Sequence, residues 1–211
     1  PKLWREQSQD ISGTNLITLY MRLLEILEID SDIARAAVIV DWIDTNSELI
    51  SSDGAEYDEY YRSGKTYLAA NSPMIEPAEL ALFNGYEIND VIALENFVST
   101  LPSNTKVNIN TANKQLMMAL HRDFDEASAD ALIALRPYES IESFYSAADG
   151  LINSTVSAKD LFNGLVGVKS SYYLMQADVL LGDIRIQLDS YIERKGDGQA
   201  AVLFRRMQFV P

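Results

Sequence analysis

The fold class of this chain is decided by residues 172–210, which read YYLMQADVLLGDIRIQLDSYIERKGDGQAAVLFRRMQFV. Three stretches, Tyr172–Leu181, Ile184–Glu193 and Ala200–Val210, alternate or run apolar with many β-branched and aromatic residues, which is typical of strands. The Gly-Asp and Lys-Gly-Asp-Gly sequences between them are typical of tight turns. We therefore predict a three-stranded antiparallel meander. Because so small a sheet needs a covering layer, we expect that cover to lie upstream of Pro1.

The residues before Gly167 have the period of helices instead. Apolar residues recur at helical spacing from Leu16 to Leu27, with Thr14 able to cap the helix. A second helix is predicted from Asp30 or Ser31 to Ile43. Further helices are predicted from Pro77 to Asn84-Gly85, after Asn89, after Thr111, and over Ala127–Leu135, Ile141–Ala148 and Ala158–Gly164. Helices followed by strands indicate an α+β fold with segregated elements.

Charge and composition exclude several classes of function. The 211 residues contain 31 acids and 17 Lys or Arg, a net charge of −14, which opposes binding to nucleic-acid backbones and to anionic lipids. The chain has no cysteine, so disulfides, zinc thiolate sites and cysteine nucleophiles are excluded. No apolar run reaches the roughly 18 residues of a membrane span.

Catalytic motifs are sparse. His121 is the single histidine, and its place at the end of a predicted helix indicates a structural or surface role. The sequence contains no Gly-x-Ser-x-Gly motif, no phosphate-binding glycine loop and no dinucleotide fingerprint. We predict that the chain is not an enzyme. A hydrolase that uses two acidic carboxylates is the alternative of this class.

The segment from Asp41 to Asn71 concentrates hard oxygen ligands. Calcium takes six to eight oxygens, so clustered carboxylates and amides suit it, whereas a solvated acidic loop is the alternative. The segment is not an EF-hand, because Leu49 stands where a glycine is required and Ala55 where the bidentate Glu belongs. The residues whose side-chain oxygens could bind a metal are Asp41, Asp44, Asn46, Glu48, Asp53, Glu56, Asp58, Glu59 and Asn71.

Residues 107–136 have the outline of a helix-hairpin-helix unit, a unit that often grips DNA phosphates. The hairpin position, residues 121–126, reads HRDFDE, with no glycine and three acids. Backbone amides could not approach a phosphate closely there, and the charge would repel it. A structural helix pair is therefore predicted, and a DNA-binding helix-hairpin-helix protein is the alternative function.

Five blocks of sequence resemble the minor pseudopilin K (GspK) family of bacterial type II secretion. The resemblance extends from about Gly13 to Met207, and the order and spacing of the blocks make it specific. The blocks are Asp41–Asp44 (DWID), Gly54–Glu56 with Tyr60, Tyr67–Met74 (YLAANSPM), Glu79-Leu80 with Gly85-Tyr86, and Asn108–Ala112 with the final strands, including Tyr172, Arg194 and Arg205.

The resemblance implies a pilin-like antiparallel β region into which a large helical domain is inserted. Residues 1–13 would be the remnant of the N-terminal pilin region, 14–166 the inserted domain with the acidic loop 41–71 and the unit 107–136, and 167–211 the C-terminal β-meander. A hydrophobic N-terminal helix, expected to be missing from this chain, would anchor the full-length protein in the inner membrane of a Gram-negative bacterium. The 211 residues of this chain would then be periplasmic.

The resemblance also implies partners. Minor pseudopilins I and J, with the major pseudopilin as a further partner, would form with this protein the tip that initiates the pseudopilus, which exports folded proteins. Neither catalysis nor nucleic-acid binding is implied.

In that family the acidic segment binds calcium. The corresponding candidate ligands in this sequence are Asp41, Asp44, Asn46, Glu56, Asp58 and Asn71. This sequence departs from the family pattern at Tyr57, where an Asp is common, and at Asn46, where an Asp-x-Asp pattern is expected. Each departure removes one negative charge, and charge count tunes calcium affinity, so the sequence leaves calcium binding open.

Overall fold

The structure, a computed structural model, describes residues 16–102, 105–196 and 198–210. The predicted remnant 1–13 and the predicted cap Thr14 lie outside the described residues. Within the described ranges, no helix combines the length and the apolar character that crossing a bilayer requires.

Helices come first along the chain and the main sheet comes last, as predicted. The helices are α1 (Leu16–Ile26), α2 (Ile33–Ile43), α3 (Tyr57–Arg62), a 3-10 helix (Pro77–Leu82), α4 (Ile88–Leu94), α5 (Lys114–Leu120), α6 (Glu126–Ala134), α7 (Ile141–Asp149) and α8 (Ala158–Phe162). The strands are β1 (Val107–Asn108), β2 (Val166–Gly167), β3 (Tyr172–Leu181), β4 (Ile184–Arg194) and β5 (Ala200–Val210). The mixed helix and sheet composition confirms the α+β prediction.

Polar side chains fix where the helices begin. Asp32 caps α2 by accepting a hydrogen bond from the Ala34 N–H at 3.1 Å, close to the predicted start. The helix predicted after Thr111 is α5. Asn113 caps this helix, and its Oδ1 accepts from the Leu116 N–H at 2.9 Å. Thr111 lies in the preceding turn, where its own N–H donates to Asn108 O at 3.1 Å.

Helix α3 lies inside the segment 41–71, which we predicted to be a loop throughout. Its sequence, YDEYYR, has no apolar helical period, and its first residue follows Glu56 rather than a Ser, Thr, Asp or Asn cap. Two contacts compensate: Glu59 Oε2 accepts from the Glu56 N–H at 3.1 Å, and the buried Tyr60 ring packs against Trp42 at 5.7 Å between centroids. Tertiary packing therefore forms a helix where the local pattern does not indicate one.

The helices enclose one apolar core. Helix α1, whose Leu23 and Leu24 are fully buried, packs on α5, and Arg22 Nη1 donates to Leu120 O at 3.2 Å across this contact. The largest fully buried side chains are Tyr60, Phe83, Phe144, Phe162, Leu23, Leu24, Leu94, Ile109, Met117, Leu120, Leu132 and Val166. Complete burial of such side chains is the main favourable term for folding, on the order of 1.5–3 kcal/mol for each.

The short strands β1 and β2 form a parallel pair, which connects the residues before α5 with those after α8. Val107 in β1 pairs with Val166 in β2, and the Ile109 N–H donates to Gly167 O at 2.9 Å. Asn110 reinforces this junction, because its Nδ2 donates to Val168 O at 3.1 Å. The sequence did not predict this pair.

The main sheet has the order β3-β4-β5 and is antiparallel throughout, with a register shift near Tyr191 and Ile192. Among the described residues, it adds no hydrophobic side chain to the buried core, and its buried residues are Asp189 and Ser190. The meander is thus the least covered part of the fold, which matches the need for a cover inferred from its size.

His121 closes α5 and is 7% exposed. Its Nδ1 accepts a hydrogen bond from the Asp123 N–H at 3.2 Å, so this nitrogen is unprotonated. Burial lowers the pKa of His121 below its ordinary value, while Asp123 opposes that shift. The histidine therefore has a structural role in the turn that leads to α6.

Candidate metal centre

The acidic segment folds around Asp41. This residue is in the last turn of α2 and is fully buried, not in the loop where we expected it. Its Oδ1 accepts from the Ile50 N–H at 2.9 Å, and its Oδ2 accepts from the Ala55 N–H at 2.8 Å. Burial raises the pKa of Asp41, although the two backbone donors oppose the shift. Asp41 therefore uses both oxygens to shape the loop.

Gly54 allows this arrangement. A Cβ at this position would overlap Asp41 Oδ2 and would also crowd Ser51 O. Only glycine lets the backbone come so close to the carboxylate that the next N–H, that of Ala55, can donate to it. The Gly54-Ala55-Glu56 block is thus tied physically to the block that contains Asp41.

Asp44 and Asn46 build the first turn after α2. Asp44 Oδ1 accepts from the Asn46 N–H at 3.1 Å, and Asn46 Oδ1 accepts from the Glu48 N–H at 2.8 Å. Two successive side-chain to backbone turns of this kind hold the chain without regular structure. Asp44 is buried, and its negative charge acts on the carboxyl groups of Asp41 and Glu56.

Among the described carboxyl groups, Glu56 has the largest pKa shift. It is 5% exposed, and its Oε1 is buried without a hydrogen-bond partner. Burial, followed by the charges of Asp41, Asp44 and Glu59, raises the pKa of Glu56 to about 7. Four carboxyl groups therefore repel one another here, those of Asp41, Asp44, Glu56 and Glu59. The pKa of Glu56 is raised most by this repulsion and by burial.

Asn71 contacts the loop that follows α2 through a hydrogen bond to Ser47. It has a positive φ of 47°, and its Nδ2 donates to Ser47 Oγ at 3.2 Å. Its Oδ1 is buried and receives no hydrogen bond. Glu56 Oε1 and Asn71 Oδ1 are thus two buried acceptors without donors, which is unusual in a folded protein and is the need that a bound cation satisfies.

Asp58 is not brought into this cluster. Its side chain is exposed on α3, and its Oδ2 lies 3.6 Å from Arg62 Nη2. Glu59, one turn further along the same helix face as Glu56, interacts electrostatically with Asp41 and Glu56 instead. Glu59 is one of the oxygen-bearing residues of the segment but is not one of the predicted ligands.

In the ranges that the structure covers, no three His, Cys, Asp or Glu side chains converge to hold a metal ion by themselves. A cation at this position would need amide oxygens as well as carboxylates. Asp44 and Glu56 are buried, Asn71 Oδ1 is a buried acceptor without a donor, and both oxygens of Asp41 already accept backbone hydrogen bonds.

Aromatic side chains pack beside Asp41 at the end of α2. The ring of Trp42, next to Asp41 in sequence, packs against Phe83 at 4.6 Å and Tyr67 at 6.4 Å between centroids. Lys65 lies over the Tyr60 ring at 5.5 Å. These contacts bury the end of α2 and the ring of Tyr60, whereas residues 45–53 between them are largely exposed.

Two family profiles match this chain. One, described as "Type II secretion system (T2SS), protein K", matches residues 6–103, and a second with the same description matches residues 107–168. The two matches together cover most of the helical part.

Curated relatives give the same result. The type II secretion system protein K of Pseudomonas aeruginosa strain PAO1 is 30% identical over 190 residues, which cover 89% of this chain and 56% of that protein. The protein of the same description from Aeromonas hydrophila is 31% identical, with coverage of 92% and 62%. This chain therefore spans somewhat more than half the length of these relatives.

A solved structure has the same fold. A chain in the crystal structure of the GspK-GspI-GspJ complex from the enterotoxigenic Escherichia coli type 2 secretion system superposes with a TM-score of 0.76 and 22% identity, over 91% of this chain and 69% of that one. The family is one of secretion components rather than of known enzymes. Together, the profiles, the relatives and the fold place this 211-residue chain in the type II secretion system protein K family.

Proposed function

We propose that this chain is the periplasmic part of a minor pseudopilin, which joins minor pseudopilins I and J in the tip complex that initiates the pseudopilus. The observation that carries the proposal is the family membership together with the shared fold of a chain from a GspK-GspI-GspJ complex. The work of such a protein is recognition by surface complementarity, without catalysis.

The described surface suits assembly. The meander exposes apolar side chains that a solitary domain would bury, among them Leu180, Val179 and Met207. Large exposed apolar patches mark interaction sites. The pilin-like character of the β region, the membrane-anchoring helix and the major pseudopilin as a further partner belong to the same proposal.

Secretion tests this role in cells. Deleting the gene that encodes this chain should leave type II substrates in the periplasm, and restoring the gene should return them to the medium. A periplasmic marker protein serves as the control for leakage. Normal secretion by the deletion strain would contradict the proposal.

We also propose that Asp44, Glu56 and Asn71 hold a calcium ion, with Asp41 and Asn46 positioning the loop. The support is the pair of buried acceptors without donors, Glu56 Oε1 and Asn71 Oδ1, beside three further carboxyl groups. Bound calcium would supply the positive charge that offsets the repulsion among the carboxylates. Isothermal titration of the metal-free protein with calcium tests this, and an absence of heat at millimolar calcium would contradict it.

A further inference from the structure

A groove of about 620 Å³ separates the sheet from the helical body. One wall is formed by the start of the 3-10 helix, by α4 and by the segment that follows α4. The other wall is the sheet face that carries Leu174 and Gln176 of β3, Asp189 and Tyr191 of β4, and Leu203 of β5. A concave site of this volume is in the range of specific binding sites.

Arg206 bridges the two walls. Its Nη1 donates to Glu76 Oε2 at 3.2 Å on the helical side, and its Nη2 donates to Asp189 Oδ2 at 3.0 Å on the sheet side. Asp189 is buried and also accepts from Gln176 Nε2 at 3.3 Å. The two ion pairs connect the start of the 3-10 helix with the central strand across the groove.

Apolar side chains on both walls of the groove are exposed to solvent. Ile92 on α4 is 61% exposed, and Leu174 and Leu203 on the sheet are 48% and 49% exposed. Val91 and Leu101 extend the apolar lining. Apolar residues that face each other across a concave surface favour a partner that removes them from water.

The charge of the groove selects the partner. From Thr66 to Thr105 the sequence contains no Lys or Arg but five acids, Glu76, Glu79, Glu87, Asp90 and Glu95. Among the described residues that line the groove, Arg206 is the single base against Glu76, Glu95 and Asp189. Its charge is already shared by two carboxylates, and Glu95 forms no ion pair with any described residue.

We propose that this groove is the docking site for a segment of a partner pseudopilin that presents Lys or Arg among apolar side chains. The apolar walls would bury its aliphatic or aromatic residues, and Glu95 would pair with its base. A second copy of this chain does not fit, because its charge of −14 would be repelled. The proposal rests on the role in tip assembly proposed above.

Two groove variants with matched controls test the site. Ile92→Asp places a negative charge in the apolar wall, and Glu95→Lys replaces the negative charge at position 95 with a positive one. Leu135→Asp is the control for Ile92→Asp, because Leu135 is 59% exposed and lies at the end of α6, outside the groove. Glu139→Lys is the control for Glu95→Lys, because Glu139 is also an exposed acid outside the groove. All four side chains are exposed, so the fold should tolerate each change, and circular dichroism checks that it does.

The measurement is the affinity of each variant for the purified soluble domains of minor pseudopilins I and J from the same organism. We expect both groove variants to bind at least tenfold more weakly and both controls to bind like the wild type. Equal affinities for all five proteins would overturn the groove but leave tip assembly intact. Absence of binding by the wild type would overturn both proposals.

The lack of cysteine permits a second readout that does not depend on a loss of affinity. Cysteine introduced by Ile92→Cys or by Leu135→Cys is the single thiol in each protein. Adding the pseudopilin partners should slow maleimide labelling of the Ile92→Cys protein at least fivefold and leave that of the Leu135→Cys protein unchanged. Equal labelling rates with and without bound partners at position 92 would overturn the groove assignment.

Discussion

Asp41 Oδ2 accepts a hydrogen bond from the backbone N–H of Ala55 at 2.8 Å, and this bond joins residues fourteen positions apart. The same carboxylate binds the Ile50 N–H through its other oxygen, so one buried side chain closes the first half of the acidic segment. The carboxylate lies against Gly54, the one residue type that leaves room for it. This contact makes the segment a rigid structural unit before any metal is considered.

Gly54→Ala should lower the free energy of unfolding by about 3 kcal/mol, because the new Cβ displaces Asp41 and leaves its hydrogen bonds unmade. Gly150→Ala is the control, since its Cβ would meet Ala147 O at an ordinary 3.5 Å and its φ is −69°. Urea unfolding of both variants measures the difference. A cost for Gly54→Ala no larger than that of Gly150→Ala would contradict the described loop.

Calcium should raise the melting temperature of the wild type relative to the protein with chelator, because a ligand that binds only the folded state stabilises it by about 2.7 kcal/mol at 100 times its Kd. Glu56→Gln and Asn71→Gly should abolish the increase, and glycine tolerates the positive φ at position 71. Asp58→Asn, outside the cluster, should retain it. An equal melting temperature with calcium and with chelator in the wild type would show that the cluster binds no calcium.

His121 should make the protein less stable in acid. Its pKa is lower in the folded state than in the unfolded state, so the unfolded chain binds the extra proton. The stabilising contribution is therefore complete above the unfolded pKa of about 6.5 and is lost as the pH falls towards the folded value. His121→Asn keeps an acceptor for the Asp123 N–H but does not titrate. Between pH 8 and pH 5.5 the free energy of unfolding, measured with urea, should shift in favour of the variant relative to the wild type, because Glu56 and Asp41 titrate alike in both proteins, and an equal pH dependence in both would refute the assignment.

Arg206→Gln should destabilise the protein by about 2 kcal/mol, because it removes the cation that pairs with the buried Asp189 carboxylate. Arg185→Gln on the neighbouring strand should cost less than about 1 kcal/mol, because Arg185 and its partner Asp178 are both exposed. Thermal unfolding of the two variants provides the comparison. Similar costs would mean that the bridge between sheet and helical body contributes little.

Sequence patterns predicted the meander most accurately. The bounds of β3 and β5 agree with the prediction, and β4 is one residue longer, because the period of two and the glycine turns are local signals. The pairing of β1 with β2 was missed because it joins Val107 to Val166, and such a distant contact leaves no local trace. Whether the division into 1–13, 14–166 and 167–211 describes separate domains stays a prediction.

The oxygen-rich composition of the segment was visible in the sequence, and its set of metal ligands stays a prediction. Asp41 and Asp44 lie close enough to Glu56 to raise its pKa, and Asn71 donates a hydrogen bond to Ser47. Asp58 entered the candidate set through the family resemblance, and its side chain is exposed on α3, where Oδ2 lies 3.6 Å from Arg62 Nη2. The groove between sheet and helices was not predicted, although the absence of Lys and Arg from residues 66–105 was a visible signal.

Assembly with the partner pseudopilins is the central claim, and light scattering during gel filtration tests it most directly. The purified chain, mixed at micromolar concentration with the soluble domains of minor pseudopilins I and J from the same organism, should elute in one peak. The mass of that peak should equal the sum of one copy of each. Three separate peaks at their individual masses, across a tenfold range of concentration, would contradict the account.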